Sequence, residues 1–70
     1  MPKVLAEYRN EHGASLRVLD DISYEMTRNG YTYKTDMSKW YLSGESVVRH
    51  IENDIRDGAY EGFVKIEEGN

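Results

Sequence analysis

The chain contains no cysteine, and this absence removes several kinds of chemistry at once. Disulfide bonds, thiolate zinc sites and thiol nucleophiles are all excluded. Histidine is also scarce, and His12 and His50 do not have the i,i+4 spacing of a zinc-binding helix. We therefore expect no metal, no cofactor and no enzymatic activity. The lack of cysteine also favours an intracellular, cytoplasmic location.

Motifs that bind phosphate or activate a nucleophile are missing too. The six glycines are scattered singly, so neither a dinucleotide-binding nor a P-loop pattern occurs. Ser43 and Ser46 belong to a helix entry and lack the flanking glycines of a nucleophile elbow. Acidic residues are so numerous that closeness of two carboxylates says little about acid–base catalysis. These gaps favour a protein that works by binding.

Long apolar runs are also lacking. No stretch approaches the roughly 18 residues of a membrane-spanning helix, and Met1-Pro2-Lys3 does not begin a signal peptide. The 70 residues are 39% hydrophobic and carry charges of both signs. That is enough for one small folded domain but too little for a large enclosed cleft. We expect a single domain over residues 1–70, with no membrane association.

The clearest local pattern is a β-hairpin centred on Asn29-Gly30. Both residues accept positive φ, which is typical of a two-residue type I′ turn. Residues 22–36 alternate apolar and polar side chains around this turn. The predicted cross-strand pairs are Arg28 with Tyr31, Thr27 with Thr32, Met26 with Tyr33, Glu25 with Lys34, and Tyr24 with Thr35. One face then collects Ile22, Tyr24, Met26, Tyr31 and Tyr33.

An earlier hairpin is indicated over residues 4–20. Asn10-Glu11-His12-Gly13 fits a type I turn in which Gly13 takes the left-handed conformation. The predicted pairs are Glu7 with Arg17, Tyr8 with Leu16, Ala6 with Val18, and Leu5 with Leu19. The last pair would form an apolar spot on the outer side of the hairpin. Either the sheet curls over this spot or a partner binds there.

Helical periodicity occurs once, over residues 45–57. The apolar face of this helix is formed by Val47, Val48, Ile51 and Ile55. Ser43 suits the N-cap and Gly58 the C′ position. The spacing also predicts two i,i+4 ion pairs, Glu45 with Arg49 and Glu52 with Arg56.

The remaining segments complete an α+β fold. Residues 60–67 alternate well enough to predict a final strand, and residues 37–42 form either a short strand or an irregular passage into the helix. The expected fold is two β-hairpins followed by one amphipathic helix and a final strand. These elements form a small antiparallel sheet or a half-open barrel with one helix.

Aromatic residues suggest where the protein binds. Six tyrosines and one tryptophan are more than a core of this size readily encloses. Trp40 and Tyr41 are neighbours, so one of them should be exposed if the segment is extended. Tryptophan and tyrosine often anchor interfaces, because each combines a large rigid ring with a polar group. The alternative is that these rings only surround the core.

Charge is distributed unevenly along the chain. Residues 1–40 hold six acidic and six basic side chains, whereas residues 41–70 hold seven acidic and three basic ones. The whole net charge of −4 therefore lies in the helix and the segment after it. This acidic stretch is either a solvated face or a surface that docks on a basic partner.

The predicted function is a small non-enzymatic protein-binding module, such as an inhibitor or regulator of a larger protein. The predicted protein-binding residues are Trp40, Tyr41, Leu5, Leu19, Glu45, Glu52, Asp54 and Asp57. We expect a protein partner, either one with a basic surface or a second copy of the chain. One alternative is an acidic mimic of nucleic acid that occupies the site of a DNA- or RNA-binding protein. Direct binding of single-stranded nucleic acid through tyrosines ranks third, because basic residues are few and the net charge is negative.

Overall fold

The computed structural model describes residues 2–58 and 62–66. The elements in chain order are β1 (Val4–Arg9), β2 (Ser15–Leu19), β3 (Ser23–Arg28), β4 (Tyr31–Asp36), α1 (Gly44–Arg56) and β5 (Val64–Lys65). The strands form one antiparallel sheet in the spatial order β4-β3-β2-β1-β5. The protein therefore has the predicted α+β fold, with one helix and a five-stranded sheet.

The β3–β4 hairpin has the predicted register along its whole length, because its turn determines the pairing. Asn29 and Gly30 have φ values of 53° and 82°, as a type I′ turn requires. Every predicted pair forms, and Ser23 additionally pairs with Asp36. The hydroxyl oxygens of Thr27 and Thr32 lie 2.8 Å apart across the strands. This local agreement makes the hairpin a well-defined edge of the sheet.

The β1–β2 hairpin is also closed by the predicted turn. The Asn10 side-chain oxygen accepts hydrogen bonds from the backbone N–H groups of His12 and Ala14, at 2.9 and 3.0 Å. Gly13 has φ of 86°, in the left-handed region. The pairs of Glu7 with Arg17, Tyr8 with Leu16 and Ala6 with Val18 are confirmed.

The predicted pairing of Leu5 with Leu19 is wrong. The register shifts between Val4 and Ala6, so that Val4 pairs with Leu19 and Leu5 has no partner in β2. Leu19 is only 5% exposed, and the predicted apolar spot on the outer side does not exist. The Leu5 side chain instead lies against Gly44, at the start of α1. A bulge adds one residue to a strand and redirects its side chains, which an alternating pattern does not reveal.

The core lies between α1 and one face of the sheet, called here the inner face. Leu16 and Val18 of β2 and Val47 and Ile51 of α1 are fully buried. The helix packs on β1 and β2. A helix with its side chains is about 10 Å wide, whereas strands lie about 4.8 Å apart. One helix therefore covers about two strands, and the inner face of β3 and β4 extends beyond it.

The opposite face of the sheet, the outer face, is polar. Glu7, Arg17, Glu25 and Lys34 follow one another across β1, β2, β3 and β4 with alternating charge. Glu7 forms an ion pair with Arg17 at 3.4 Å, and its side chain also contacts Arg9 at 3.2 Å. Such a ladder suits a solvated surface, since opposite charges face each other across the strands.

The turn between β2 and β3 holds a strained residue. Ile22 has φ of 62°, and a β-branched side chain in the left-handed region costs about 1–2 kcal/mol. Its carbonyl accepts a hydrogen bond from the Met37 N–H at 2.8 Å, just beyond the end of β4. Beside it, Asp21 accepts hydrogen bonds from the Ser23 hydroxyl and from Lys34, the latter at 2.8 Å. These bonds hold the turn in place and fix the end of β4 against β3.

Both ends of α1 carry the predicted caps. The Ser43 side chain accepts a hydrogen bond from the Ser46 N–H at 3.2 Å. At the other end Gly58 has φ of 90° and donates its N–H to the Ile55 carbonyl at 3.1 Å. Neither predicted i,i+4 ion pair forms among the described residues: Glu52 pairs with Lys65, and Arg56 pairs with Asp57.

The segments around the helix differ from the simplest expectation. Residues 37–42 are an irregular passage, in which the N–H groups of Trp40 and Tyr41 both donate to the Met37 carbonyl at 3.0 Å. The last strand contains only Val64 and Lys65, while residues 60, 61 and 67 lie outside the described residues. Within the described part of the chain, no helix is long and apolar enough to span a membrane.

We expect Gly44→Ala to destabilise the protein, although alanine is the better helix former. Gly44 is buried, and an added Cβ would meet the Leu5 side chain and lie 2.9 Å from the Leu19 carbonyl oxygen. Overpacking of this kind costs about 1–3 kcal/mol of unfolding free energy. The exposed control Asn53→Ala should leave stability unchanged or raise it slightly. Chemical denaturation of the two variants measures both effects, and a Gly44→Ala variant as stable as the original would contradict the packing described here.

Candidate protein-binding surface

Two tyrosines stand exposed on the inner face of the sheet. Tyr33 lies opposite Met26, which itself pairs with the buried Leu16, so all three side chains are on the helix side. Tyr31 is two residues from Tyr33 and shares its face. Because α1 covers β1 and β2 only, Tyr31 remains 79% exposed and Tyr33 50% exposed. We call Tyr24, Tyr31 and Tyr33 the tyrosine strip.

The tyrosine strip has a packed floor and a rigid base. Tyr24 and Met26 of β3 lie beside β4, and Met26 is buried while Tyr24 packs against the core cluster. The type I′ turn and the continuous register of β3–β4 hold the strand that carries Tyr31 and Tyr33. Arg28 pairs with Tyr31 and places one cation at the end of the strip.

One flank of α1 borders this open face. Glu52 lies on the flank toward β5, where its carboxylate pairs with Lys65 at 2.9 Å. His50 and Asp54 lie about 160° around the helix from Glu52, on the flank toward β3. Their side chains pair at 3.0 Å, and the His50 ring lies 5.4 Å from the Tyr41 ring. The open face is therefore bordered by polar and aromatic groups.

The passage between β4 and α1 presents a second group of apolar side chains. Trp40 is 68% exposed and Leu42 is 96% exposed. Tyr41 is partly buried and packs against the core cluster. The expectation that one of Trp40 and Tyr41 is exposed is confirmed, although the segment is a turn and not a strand. Trp40 and Leu42 are therefore available to a partner, and Tyr41 chiefly supports the fold.

The predicted acidic residue Glu52 is part of a network that joins three elements. The buried Tyr8 of β1 donates its hydroxyl to the Glu52 carboxylate at 3.1 Å, and Lys65 of β5 bonds the same oxygen at 2.9 Å. Lys65 and the Tyr8 hydroxyl hold the pKa of Glu52 below its usual range. Burial, followed by the Glu52 charge, raises the pKa of Tyr8, so its phenol stays protonated. This network fixes α1 and β5 relative to β1.

The other predicted acids are distributed around the helix. Glu45 is exposed in the first turn of α1, and Asp57 caps the helix C-terminus beside Arg56, 3.8 Å away. With Glu52 on Lys65 and Asp54 on His50, three of the four predicted acids have a basic side chain nearby. The structure therefore does not gather these four carboxylates into one unpaired acidic patch.

Tyr31 and Tyr33 were missed as binding residues, although the sequence carried a signal for them. The hairpin register placed both on one face, and that face was read as part of the core. The width of a single helix against five strands indicates that one edge of the inner face has to remain open. Which edge stays open depends on where α1 lies, and no local pattern specifies that position.

No protein-family model, curated protein or solved structure matches this chain. Within residues 2–58 and 62–66, no group of three or more histidine, aspartate or glutamate side chains could hold a metal ion. The open inner face, with the exposed side chains of the β4–α1 passage, is therefore the feature on which a functional proposal rests.

We expect Trp40→Ala and Tyr41→Ala to affect stability differently. Tyr41 packs against the core and the His50 ring, whereas most of the Trp40 surface faces solvent. Truncating a partly buried aromatic costs about 1–3 kcal/mol, while an exposed position changes stability by about 0.5 kcal/mol or less. Thermal unfolding of both variants tests this difference. An equal loss in the two variants would mean that Trp40 also belongs to the core.

The Glu52 network predicts a specific pH dependence. The folded-state pKa of Glu52 is lowered, so its contribution to stability is complete above the ordinary carboxyl pKa and is lost as pH falls through the folded value. Stability of the original protein should decline as pH falls from about 5 to about 3, and less steeply in Glu52→Gln. Glu11→Gln, in an exposed turn, makes the same charge change and serves as the control. Denaturation at several pH values measures this, and equal slopes for Glu52→Gln and the original protein would contradict the network.

Proposed function

We propose that this chain is a small non-enzymatic protein-binding module that binds through the tyrosine strip and Trp40. The observation that supports this most strongly is the exposure of Tyr31 and Tyr33 on the face of the sheet that elsewhere forms the core. An inhibitor or regulator of a larger protein fits this description.

The physical argument starts from what exposed aromatic rings cost and offer. A contiguous apolar surface is rarely left in water on a small soluble protein without a binding role. Tyrosine and tryptophan lose little conformational freedom on binding and combine apolar area with a hydrogen-bonding group. Here Tyr31 and Tyr33 project from a strand held by a complete hairpin register. The surface is therefore preorganised, which lowers the entropy lost when a partner binds.

The partner chemistry that fits is an apolar protein surface with hydrogen-bond acceptors for the phenol groups. Arg28, opposite Tyr31, adds a cation at one end and suits a carboxylate on the partner. The strip lies in the half of the chain whose acidic and basic residues balance, at six of each in residues 1–40. Recognition through this strip is then mainly apolar, with charge contributing at its rim.

Nucleic-acid functions rank lower on the same observations. Single-stranded nucleic acid could stack on Tyr31 and Tyr33, but such sites usually add several bases along the backbone path. Here Arg28 is on the inner face, whereas Lys34 is on the outer face and bonded to Asp21. An acidic mimic of nucleic acid would need unpaired carboxylates, and most of the predicted acids lie beside basic side chains.

Site-specific photo-crosslinking in cells of the native host tests the proposal. Replacing Tyr33 with p-benzoylphenylalanine should give a discrete covalent adduct with another protein. The same residue at Thr32, one position along β4 but on the outer face, is the matched control and should give little adduct. Excess unlabelled original chain should suppress the adduct if the site is specific.

Three outcomes would count against the proposal. Equal adducts at positions 32 and 33 would mean non-specific contact. A specific adduct at position 33 that contains nucleic acid and no second protein would transfer the function to single-strand binding. No adduct with any other protein at position 33 or at Trp40 would remove this surface as a site for a protein partner.

A further inference from the structure

The edge strand β4 leaves half of its backbone groups without a strand partner. The Met37 N–H donates to the Ile22 carbonyl of the β2–β3 turn, at 2.8 Å. Backbone groups alternate in direction along an antiparallel strand. The N–H and C=O groups of Thr32, Lys34 and Asp36 therefore point away from β3, on the open side of the sheet.

Nothing in the described residues of this edge discourages pairing with another strand. Proteins usually protect edges with proline, bulges, very short strands or inward-pointing charges. Strand β4 has six residues, contains no proline and pairs with β3 without a register shift. Lys34 is bonded to Asp21 on the outer face and does not guard the edge itself. The other edge strand, β5, contains only two residues.

We propose that a second copy of this chain pairs with β4, so that two β4 strands run antiparallel about a twofold axis at Tyr33. This dimer rests on the proposed function, since it uses the tyrosine strip of the same surface. In this register Tyr33 faces Tyr33 of the second copy. Thr32 faces Lys34, and Tyr31 faces Thr35, in both directions across the axis.

The side chains of β4 favour this register over its neighbours. A twofold axis at Lys34 would place two lysines directly opposite each other, which is destabilising. An axis at Thr32 would pair only residues 30–34 and leave the end of β4 unpaired. The axis at Tyr33 pairs residues 31–35, sets no like charges opposite each other, and brings two tyrosine rings together. Tyr33 would lie at a non-hydrogen-bonded position, where cross-strand side chains approach most closely.

The distribution of charge favours a second copy as the occupant. The net charge of −4 comes from residues 41–70, which include α1 and β5. These elements lie over and beyond β1, at the far side of the sheet from β4. Pairing through β4 therefore joins the two uncharged edges. The acidic halves remain roughly 30 Å apart, well beyond a screening length of about 8 Å.

The absence of cysteine allows a direct test of the register. Single-cysteine variants Thr32→Cys, Tyr33→Cys, Lys34→Cys and Thr35→Cys are oxidised mildly and examined for disulfide-linked dimers. Opposed Cα atoms in a non-hydrogen-bonded pair are about 4.5 Å apart, within the range that a disulfide spans. We expect Tyr33→Cys to cross-link efficiently. Thr35→Cys is the matched control, because its two copies would lie about 13 Å apart along the strands.

A backbone variant tests the edge itself. Thr32→Pro removes an outward N–H but no bond to β3, so the hairpin should still form. Sedimentation velocity over a range of concentrations should show the original chain as a dimer and Thr32→Pro as a monomer. Thr32→Val keeps the N–H and loses the same hydroxyl contact with Thr27, and it should remain a dimer.

The outcomes separate the dimer from the proposed function. A chain that stays monomeric at all concentrations overturns the dimer, even if Tyr33 still cross-links another protein. Equal disulfide formation at positions 32, 33, 34 and 35, or preferred formation at 32 or 34, overturns the proposed register. A dimer with a Tyr33 disulfide that forms no adduct with any other protein supports the dimer and overturns the partner-binding function.

Discussion

The placement of a single helix over β1 and β2 is the constraint on which the rest of the structure depends. Val47 and Ile51 of α1 bury Leu16 and Val18 of β2, and this layer forms the centre of the core. A helix covers only about two strand widths, so it cannot cover all five strands. The inner face of β3 and β4 is consequently left open, and whatever side chains it carries meet solvent or a partner.

Three contacts hold the helix on that side of the sheet. At its start, Gly44 approaches the Leu19 carbonyl so closely that no side chain fits there. Near its end, the Tyr8 hydroxyl and Lys65 both bond Glu52, which ties α1 to β1 and β5. All of these contacts lie on the β1 side, and together they make the coverage of the sheet asymmetric. The open tyrosine strip is therefore a consequence of how α1 is anchored.

The parts of the fold that local chemistry determines could be predicted from the sequence. The Asn29-Gly30 turn sets the register of β3–β4, and the caps at Ser43 and Gly58 set the ends of α1. Contacts between distant segments could not be predicted in the same way. The bulge at Leu5 arises because its side chain packs against the helix start, which no alternating pattern contains.

The candidate site shows the same division at the level of function. Adjacent Trp40 and Tyr41 correctly indicated one exposed ring, because that argument needs only neighbouring residues. Tyr31 and Tyr33 required knowledge of which strands the helix covers, and that is a property of the whole fold. Since α1 and β5 also carry the net negative charge, one packing arrangement separates two surfaces. The edge at β4 is aromatic and uncharged overall, while the opposite edge is acidic, and two such molecules can approach closely only through β4.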